Sequence, residues 1–488
     1  MRSDIFNYIL KKSKNSQDIF LIDSKETYGD FYKKTKIFRN FLIHNVKKGG
    51  VVCICANYSL DFVSLIFAAY LNNNVVTFIN PNSSREEKLH VIKKTSANLV
   101  FFDKNISGLE KGKKSFFTLN YIFFSKKINY EIKKNYRFII FTSGTSKKPK
   151  GVLISNRAIS SNVLAILKNI RLKKKDKSII FSPPAYAMAV SQILTYMGAG
   201  CSIIFYKEGL KFPNELLGKI KQYRISILNI SVSAFRILKK FLGKKEKLYF
   251  LRIVMSGGMP LTNQIVSNYK FFFPKAKIIN FYGCTENSPR ISHFHVKKSE
   301  TINQSYFPVG KALNGVKVRI KKMENYASNI GLVFISGSSL MSGYFKNKSL
   351  NDKLLINGWY NTGDLGFFDK HKNLNIIGRE DNTFRVGHEK LCPEEVEDVI
   401  QKKFTLQEIV ITKVKNSILD WIPFGIAVKN KKSKITSDKI KNGIKDDLSN
   451  YKIPKKIIFI KKIPKTTYGK INRKKLEIIA KKFNERKK

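Results

Sequence analysis

The sequence has few cysteines, few acidic residues and no long uninterrupted apolar segment. Its 488 residues include five cysteines and no Cys-x-x-Cys pair, which argues against a disulfide framework or structural zinc and fits a reducing compartment. The Met1–Leu10 segment lacks the apolar core of a signal peptide. The most apolar window, Val51–Leu71, is interrupted by Asn57 and Asp61 and predicts a strand, a turn and a buried helix. We therefore expect a cytoplasmic protein without a membrane span.

Acidic residues are scarce beside basic ones. The chain has 35 Asp and Glu against 91 Lys and Arg, a formal net charge of +56. A nucleic-acid or anionic-membrane partner is one interpretation of this charge. A general preference for lysine on exposed faces is the other. The second is favoured because lysine far outnumbers arginine, the usual reader of bases and phosphates, and because lysines run from Lys11 to Lys488. We expect no specific nucleic-acid partner.

One polar segment has the composition of a phosphate-binding loop. Thr142–Gly151 follows the apolar run Phe138–Phe141 and precedes a helical pattern that begins near Ala158. Hydroxyls, glycines and lysines at such a junction can bind phosphates through N–H groups, O–H groups and positive charge. The loop is not a Walker loop, because the fifth residue after Gly144 is Pro149. A nucleotide triphosphate is one interpretation, and a plain polar turn is the other.

Short apolar runs alternate with helix-length segments through the middle of the chain. The expected strands are Phe138–Phe141, Ser178–Phe181, Cys201–Tyr206, Ile225–Ile230, Leu251–Met255 and Ala276–Phe281. This rhythm predicts parallel βαβ units and a doubly wound α/β sheet. The loops Thr142–Gly151, Ser256–Pro260 and Tyr282–Glu286 each begin where a strand ends. Ligands bind beyond the carboxyl ends of such strands, so we expect the three loops to share one edge and surround one ligand.

The C-terminal third changes character. From about Val309 the pattern turns to shorter β runs, which predicts a small β-barrel-like lobe. From Asp381 onward, helices near Pro393 and at Ser437–Leu448 alternate with strands and predict a compact α+β unit. The expected fold is thus α/β, with a large domain of layered sheets plus the lobe over residues 1–380 and a small domain over 381–488.

Several segments together identify a family. They are Thr142–Gly151, Ser256–Leu261, Tyr282–Glu286, Gly343-Tyr344, Gly358–Asp364, Gly378–Asp381 and Pro464–Arg473. In this order and spacing they resemble the adenylate-forming superfamily of acyl- and aryl-CoA synthetases, nonribosomal peptide adenylation domains and luciferases. The resemblance covers nearly the whole chain. It implies an ATP-dependent carboxylic acid ligase that forms an acyl-adenylate and pyrophosphate and then passes the acyl group to a thiol.

The resemblance also assigns nucleotide contacts. Phosphate contacts would come from Thr142, Ser143, Gly144, Thr145 and Lys150, with Thr285 at the α-phosphate. Gly257, Gly258, Tyr282 and Gly283 would line the adenine slot, and Asp364 and Arg379 would bind the ribose. Glu286 would hold Mg²⁺, a hard cation that prefers oxygen ligands. Thr142, Lys150, Glu286 and Lys470 would be the catalytic residues.

The last domain carries the remaining assignments. By resemblance, Lys470 would bridge the substrate carboxylate and AMP and would stabilise charge during transfer. Asp381 would be the hinge about which a mobile lid domain, residues 381–488, swings between adenylation and thioester formation. Gly387 would line the tunnel for the thiol of CoA or phosphopantetheine, whereas His388 is expected at the surface. The sequence departs from the family pattern at Lys147, where glycine is usual, and at Leu332 and Tyr468.

Clues to the substrate are limited to the segment Pro183–Val190. Tyr186 and Met188 lie in the expected acyl pocket, by resemblance. Amino-acid-activating relatives carry an aspartate where Ala187 stands, and no acidic residue occurs between Pro183 and Leu194. A buried ammonium without a partner is costly, so an α-amino acid is disfavoured and another small carboxylic acid is expected.

Three functions therefore remain open. The first is the two-step acid–thiol ligase. The second is a stand-alone enzyme that loads an acyl or aminoacyl group onto an acidic carrier protein, which the basic surface would suit. The third is a degenerate ligase fold that binds polyanions. Pyrophosphate exchange that depends on a carboxylic acid separates the third from the first two.

Overall fold

The computed structural model describes residues 4–104, 112–124, 135–142, 149–297, 302, 306–323, 329–386, 389–416, 419–430, 433–465 and 471–485. The elements up to residue 155 are α1 (Ile5–Ser13), β1 (Ile19–Leu21), β2 (Glu26–Thr27), α2 (Tyr28–Asn45), β3 (Val51–Cys55), α3 (Leu60–Leu71), β4 (Val75–Phe78), α4 (Arg85–Thr95), β5 (Leu99–Phe102), β6 (Lys114–Phe116), β7 (Leu119–Phe123), β8 (Tyr136–Thr142) and β9 (Lys150–Ser155).

The middle of the chain continues the alternation. Its elements are α5 (Asn156–Ile170), β10 (Lys177–Ile180), α6 (Ala187–Ala199), β11 (Ser202–Phe205), α7 (Pro213–Gln222), β12 (Ile227–Asn229), α8 (Val232–Leu238), β13 (Ile253–Gly257), α9 (Asn263–Phe272), β14 (Lys277–Gly283), β15 (Arg290–Val296) and β16 (Lys311–Ala312).

The remaining elements are richer in strands. They are β17 (Val316–Lys322), β18 (Gly331–Gly337), β19 (Gly343–Tyr344), α10 (Lys348–Leu354), β20 (Leu355–Ile356), β21 (Trp359–Phe368), β22 (Leu374–Arg379), β23 (Phe384–Val386), β24 (Glu389–Leu391), α11 (Pro393–Lys403), β25 (Leu406–Asn416), β26 (Asp420–Lys429), α12 (Ser437–Gly443), β27 (Lys456–Phe459) and α13 (Arg473–Glu485).

Two large sheets form the body of the protein. One has nine strands in the order β16-β15-β14-β13-β12-β10-β11-β1-β2, and the other has eight in the order β19-β9-β8-β4-β3-β5-β7-β6. Strands β10 to β14 pair in parallel where they adjoin, with helices between them along the chain. The α/β fold class is thereby confirmed, and so is the parallel βαβ organisation predicted for the middle of the chain.

The strands at the centre of the eight-stranded sheet are buried on both faces. β3, β4 and β5 are made almost entirely of Val, Ile, Cys and Phe, and every residue in them is buried, as expected for a sheet covered on both sides. Asp61, which interrupts this apolar region of the sequence, is 1% exposed and forms an ion pair of 2.7 Å with Lys34. The predicted strand, turn and buried helix over Val51–Leu71 are confirmed.

Helix starts follow ordinary capping chemistry. Thr27 and Asp30 form a capping box at the start of α2, and Ser84 and Glu87 form one at the start of α4. Such reciprocal bonds satisfy N–H groups that the first turn leaves unpaired. In the described part of the chain, no helix is both long and apolar enough to span a bilayer.

Three details of the sequence prediction are wrong. Thr142–Gly151 does not join a strand to a helix, because β8 and β9 pair antiparallel on either side of it, from Tyr136↔Ser155 to Thr142↔Lys150. The three glycine-bearing loops also do not leave one sheet: β8 belongs to the eight-stranded sheet, and β13 and β14 belong to the nine-stranded one. Local periodicity identifies strands but does not show which sheet each strand joins. The helix expected over Ser437–Leu448 ends early, at Gly443.

The C-terminal third separates into two parts. β17, β18, β20, β21 and β22 form an antiparallel five-stranded sheet. Beyond it, β25, β26 and β27 form a three-stranded sheet. Buried apolar clusters fall on either side of the same point. Three draw on residues up to Ile376, and the other two draw on residues from Phe384 onward.

Candidate active site

A short turn after β14 positions Glu286. The turn is a single 3₁₀ turn over Thr285–Asn287. Asn162 of α5 fastens it, because its side-chain amide donates to the carbonyls of Asn287 (3.0 Å) and Arg290 (2.7 Å). Gly283 must lack a side chain here, since a Cβ would lie 1.9 Å from the Pro289 carbonyl oxygen. The backbone thus holds Thr285 and Glu286 just beyond the carboxyl end of a parallel strand, where ligands bind in such sheets.

Glu286 is reached by a residue of the other large sheet. The hydroxyl of Tyr344, in β19, donates to Glu286 Oε1 at 2.7 Å and lies 3.0 Å from the Tyr360 hydroxyl. The Lys150 ammonium lies 5.8 Å from the centre of the Tyr344 ring. Burial, followed by the charge of Glu286, raises the pKa of both phenols far above their ordinary value. Both tyrosines therefore remain neutral hydrogen-bond donors beside a carboxylate.

A second carboxylate lies on β21, an interior strand of the five-stranded sheet. Asp364 of β21 is 8% exposed; it accepts a short hydrogen bond from Tyr282 and pairs with Arg379 Nη1 at 3.3 Å. Burial raises the pKa of the Asp364 carboxyl, the Arg379 charge opposes that shift, and Glu286 adds to it. Glu286 lies in the turn after β14 and Asp364 lies in the five-stranded sheet, yet they are close enough to interact electrostatically. A carboxylate held this way suits acceptance of hydroxyl hydrogen bonds.

Two glycines at the carboxyl end of β13 leave space beside β14. A Cβ at Gly257 would lie 2.5 Å from the Phe281 ring, so only glycine allows that ring to pack there. Gly258 has φ +77° and no neighbouring atom within 4 Å of where a Cβ would stand. The left-handed backbone favours glycine, and the open side of this turn can admit a flat ring.

Around the ends of β8, β14 and β22 and the middle of β21, the structure brings together Thr142, Lys150, Tyr282, Gly283, Thr285, Glu286, Asp364 and Arg379. Ser143, Gly144, Thr145, Lys147, Gly387, His388 and Lys470 lie outside the described residues. Of the flanks of Lys470, Lys465 and Ile471 form an antiparallel bridge, and the Asn472 amide donates to the Pro464 carbonyl at 2.9 Å.

The residues expected in the acyl pocket lie at the start of α6. Tyr186 precedes the helix, and Met188 is in its first turn. Met188 Sδ lies 3.9 Å from the Asn229 amide and 3.8 Å from Arg290 Nη2. Sequence reasoning missed Arg290, and it quoted Tyr344 within a motif without giving it a role. Tyr344 meets Glu286 from 58 positions away in the chain, so no local pattern could have joined them.

One carboxylate is enough for the metal that the site would take. Mg²⁺ keeps several waters and is commonly held by one or two carboxylates together with substrate phosphates. Glu286, with its Oε1 already fixed by Tyr344, fits that requirement. When bound, the ion would offset negative charge on the phosphates.

A match to a protein-family model identifies the class of protein. A sequence model described as AMP-binding enzyme matches residues 11–345. The chain belongs to this family of AMP-binding enzymes, and the function class predicted from the sequence is confirmed.

Full-length relatives agree with that assignment. A 2-succinylbenzoate–CoA ligase of Geobacillus sp. is 23% identical over 494 residues, covering 98% of each chain. The solved ATP-bound MatB from Rhodopseudomonas palustris has a TM-score of 0.83 at 19% identity, covering 99% of this chain and 100% of its own. The O-succinylbenzoate coenzyme A synthetase of Bacillus subtilis, solved with ATP and magnesium ion, has a TM-score of 0.76 at 19% identity, covering 96% and 99%. At these identities the two structures show that the fold is shared.

Proposed function

We propose that the protein is an ATP- and Mg²⁺-dependent ligase that converts a small carboxylic acid to its CoA thioester. One observation carries the proposal: two carboxylates from separate elements lie within electrostatic range of each other. Glu286, in the turn after β14, is held by Tyr344, and Asp364, in β21, is held by Tyr282 and Arg379. The first carboxylate suits a metal ion on phosphates, and the second suits a ribose. The solved relative with ATP and magnesium supports the same cofactors here.

The proposed reaction has two balanced steps. A carboxylate oxygen of the acid attacks the α-phosphorus of ATP, and pyrophosphate leaves as the bond between the α-phosphorus and the bridging oxygen breaks. A thiolate then attacks the acyl carbon, a C–S bond forms, and AMP leaves with the C–O bonding pair. Lys150 would bind phosphate, Thr285 would position the α-phosphate, and Asp364 would fix the ribose. These contacts supply positioning and charge stabilisation, the main means of phosphoryl-group catalysis.

A panel of carboxylic acids tests the proposal. We expect ATP–pyrophosphate exchange with at least one acid, followed by consumption of CoA when CoA is added. Exchange without use of CoA, but with transfer to a pantetheine-bearing carrier protein, would assign the carrier as acceptor. No exchange with any acid would contradict the proposal and favour the degenerate, polyanion-binding alternative.

Asp364→Asn is expected to raise the KM for ATP by about 10-fold, because the neutral amide loses a charge-assisted acceptor for ribose hydroxyls. The wild-type KM should itself rise on acidification. Burial raises the pKa of Asp364, so protonation of the free enzyme begins at a higher pH than for an ordinary aspartate. Measurement of KM between about pH 5 and pH 8 should show that rise in wild type and a flatter profile in the variant. Identical profiles would contradict the ribose role.

We also propose that residues 1–380 and 381–488 are separate domains joined at Asp381. The division of the apolar clusters between Ile376 and Phe384 supports it. Asp381 is exposed, lies in the 3₁₀ turn Glu380–Asn382, and approaches Arg379 at 3.7 Å. An exposed position with one weak ion pair can change its backbone angles at little cost.

Asp381→Pro is expected to slow thioester formation at least 10-fold more than adenylate formation, because proline restricts rotation about φ. Asp381→Ala is the matched control, since it removes the same carboxylate and leaves φ free. The two half-reactions should be timed separately by rapid quench. Equal losses in both steps for the proline variant, or the same effect from alanine, would contradict the hinge assignment.

A further inference from the structure

Arg290 is a buried cation beside the expected acyl pocket. It begins β15, where it pairs with Gly283 of β14, and its side chain is almost completely enclosed, with 2% exposure. The centre of its guanidinium lies 3.7 Å from the centre of the Phe281 ring. The guanidinium is therefore held inside the fold, against the Phe281 ring.

The guanidinium has far fewer partners than donors. It carries five N–H groups, of which Nη1 reaches His293 Nε2 at 3.1 Å and Nε has no hydrogen-bond partner. Its other contacts are the thioether sulfurs of Met255 (3.7 Å) and Met188 (3.8 Å), which are weak acceptors. Among the ion pairs of the described residues, none includes Arg290.

Contacts within the protein do not compensate this buried charge. A desolvated cation–π contact offsets only part of the free-energy cost of burying an ion. Burial lowers the pKa of Arg290 to about 10, so the group stays charged at neutral pH. An anion that binds beside the guanidinium would neutralise this buried charge, and a bound ligand can be that anion.

The surroundings of Arg290 place that anion in the substrate pocket. Met188, which contacts it, lies in the segment assigned to the acyl pocket, and Asn229 approaches the same sulfur. His293 Nδ1, also buried, has no hydrogen-bond partner.

We propose that Arg290 binds a second carboxylate on the acid substrate, so that the enzyme activates one carboxyl group of a dicarboxylic acid while Arg290 holds the other. The inference rests on the proposed ligase function and narrows its substrate class. His293, in its neutral form, would add a hydrogen bond from Nδ1 when its proton is there. Such a pair is charge-assisted and can be bidentate, the geometry in which arginine selects carboxylates.

Matched pairs of acids test the inference. Straight-chain diacids from malonate to suberate, and 2-succinylbenzoate, are compared with their monomethyl esters by acid-dependent pyrophosphate release. For wild type we expect kcat/KM with the best diacid to exceed that with its monoester by about 10²-fold. Arg290→Met should lower the diacid value by about the same factor and leave the monoester value unchanged. Arg290→Lys should retain part of the preference, because it keeps a positive charge.

Arg319→Met is the control for loss of an arginine stacked on an aromatic ring. Arg319 lies on β17, exposed, 4.3 Å from the Trp359 ring, and its replacement should change neither value. A wild-type preference for the monoesters would overturn the inference even if Arg290→Met failed to fold. So would equal losses on both acids in a folded Arg290→Met, which would place the guanidinium at the reacting carboxylate. Pyrophosphate release from no acid at all would instead overturn the ligase function itself.

Discussion

Lys470→Ala is expected to slow adenylate formation by about 10²–10³-fold, the usual cost of removing one donor from a developing negative charge. The resemblance places this ammonium between the attacking carboxylate and the phosphate ester oxygen, where negative charge builds up. Transfer of the acyl group from preformed acyl-adenylate to CoA should stay within a few-fold of wild type, because Lys470 would leave the site when the small domain swings.

The described flanks of Lys470 are joined to each other and to the small domain. Lys465 and Ile471 pair as an antiparallel bridge, so the two ends of the intervening segment meet. Lys465 also pairs with Glu408 of β25 at 3.1 Å, which ties the base of the segment to the small sheet. Because both described ends of the segment belong to the small domain, a movement of that domain would carry Lys470 with it.

Lys474→Ala serves as the control for loss of one lysine from a strongly basic chain. Lys474 is exposed in the first turn of α13, four positions from Lys470. It should leave both half-reactions unchanged. Measurement requires ATP–pyrophosphate exchange for the first step and thioester formation from supplied acyl-adenylate for the second. Loss of both steps together in a folded Lys470→Ala variant would contradict the assigned role.

Much of the fold could be predicted because strands and helices leave local signals. The apolar runs from Ser178 to Phe281 correspond to β10 to β14, and their parallel pairing follows from the helices between them. The periodicity of the sequence does not specify which strands pair with each other. β8 and β9 form a hairpin in the second large sheet, and no residue in that segment signals which of two sheets it joins.

Some residues of the site could likewise be predicted from local motifs, whereas others become neighbours only in the folded chain. Glu286 and Asp364 were predicted because each lies in a recognisable segment. The residues that position these carboxylates were harder to predict, because Tyr344 contacts Glu286 from a different sheet. The role of Arg290 was also hidden, since it depends on the absence of an acidic partner for the buried guanidinium. An unpaired buried charge is a property of the packed structure and has no counterpart in a run of residues.

Glu286→Gln is expected to lower the rate of pyrophosphate exchange by about 10²-fold and to shift its dependence on Mg²⁺ to higher concentration. Glutamine keeps an oxygen that can accept the 2.7 Å hydrogen bond from Tyr344, so the turn should keep its conformation. What the substitution removes is the negative charge. The loss should therefore appear in metal dependence, measured as exchange rate against Mg²⁺ at fixed ATP, before it appears in stability.

Tyr344→Phe separates the position of Glu286 from its charge. The variant retains the carboxylate and removes only the hydroxyl that orients it, so we expect a smaller loss, about 10-fold, with most of the Mg²⁺ affinity kept. Glu485→Gln, which changes an exposed carboxylate at the end of α13, should have no effect on either measurement. If Glu286→Gln and Tyr344→Phe gave the same loss and neither altered Mg²⁺ dependence, Glu286 would be a structural residue of the turn and the metal would have to be held elsewhere. If Glu286 binds the ion, the Mg²⁺ concentration needed for half-maximal exchange should rise in Glu286→Gln and not in Tyr344→Phe.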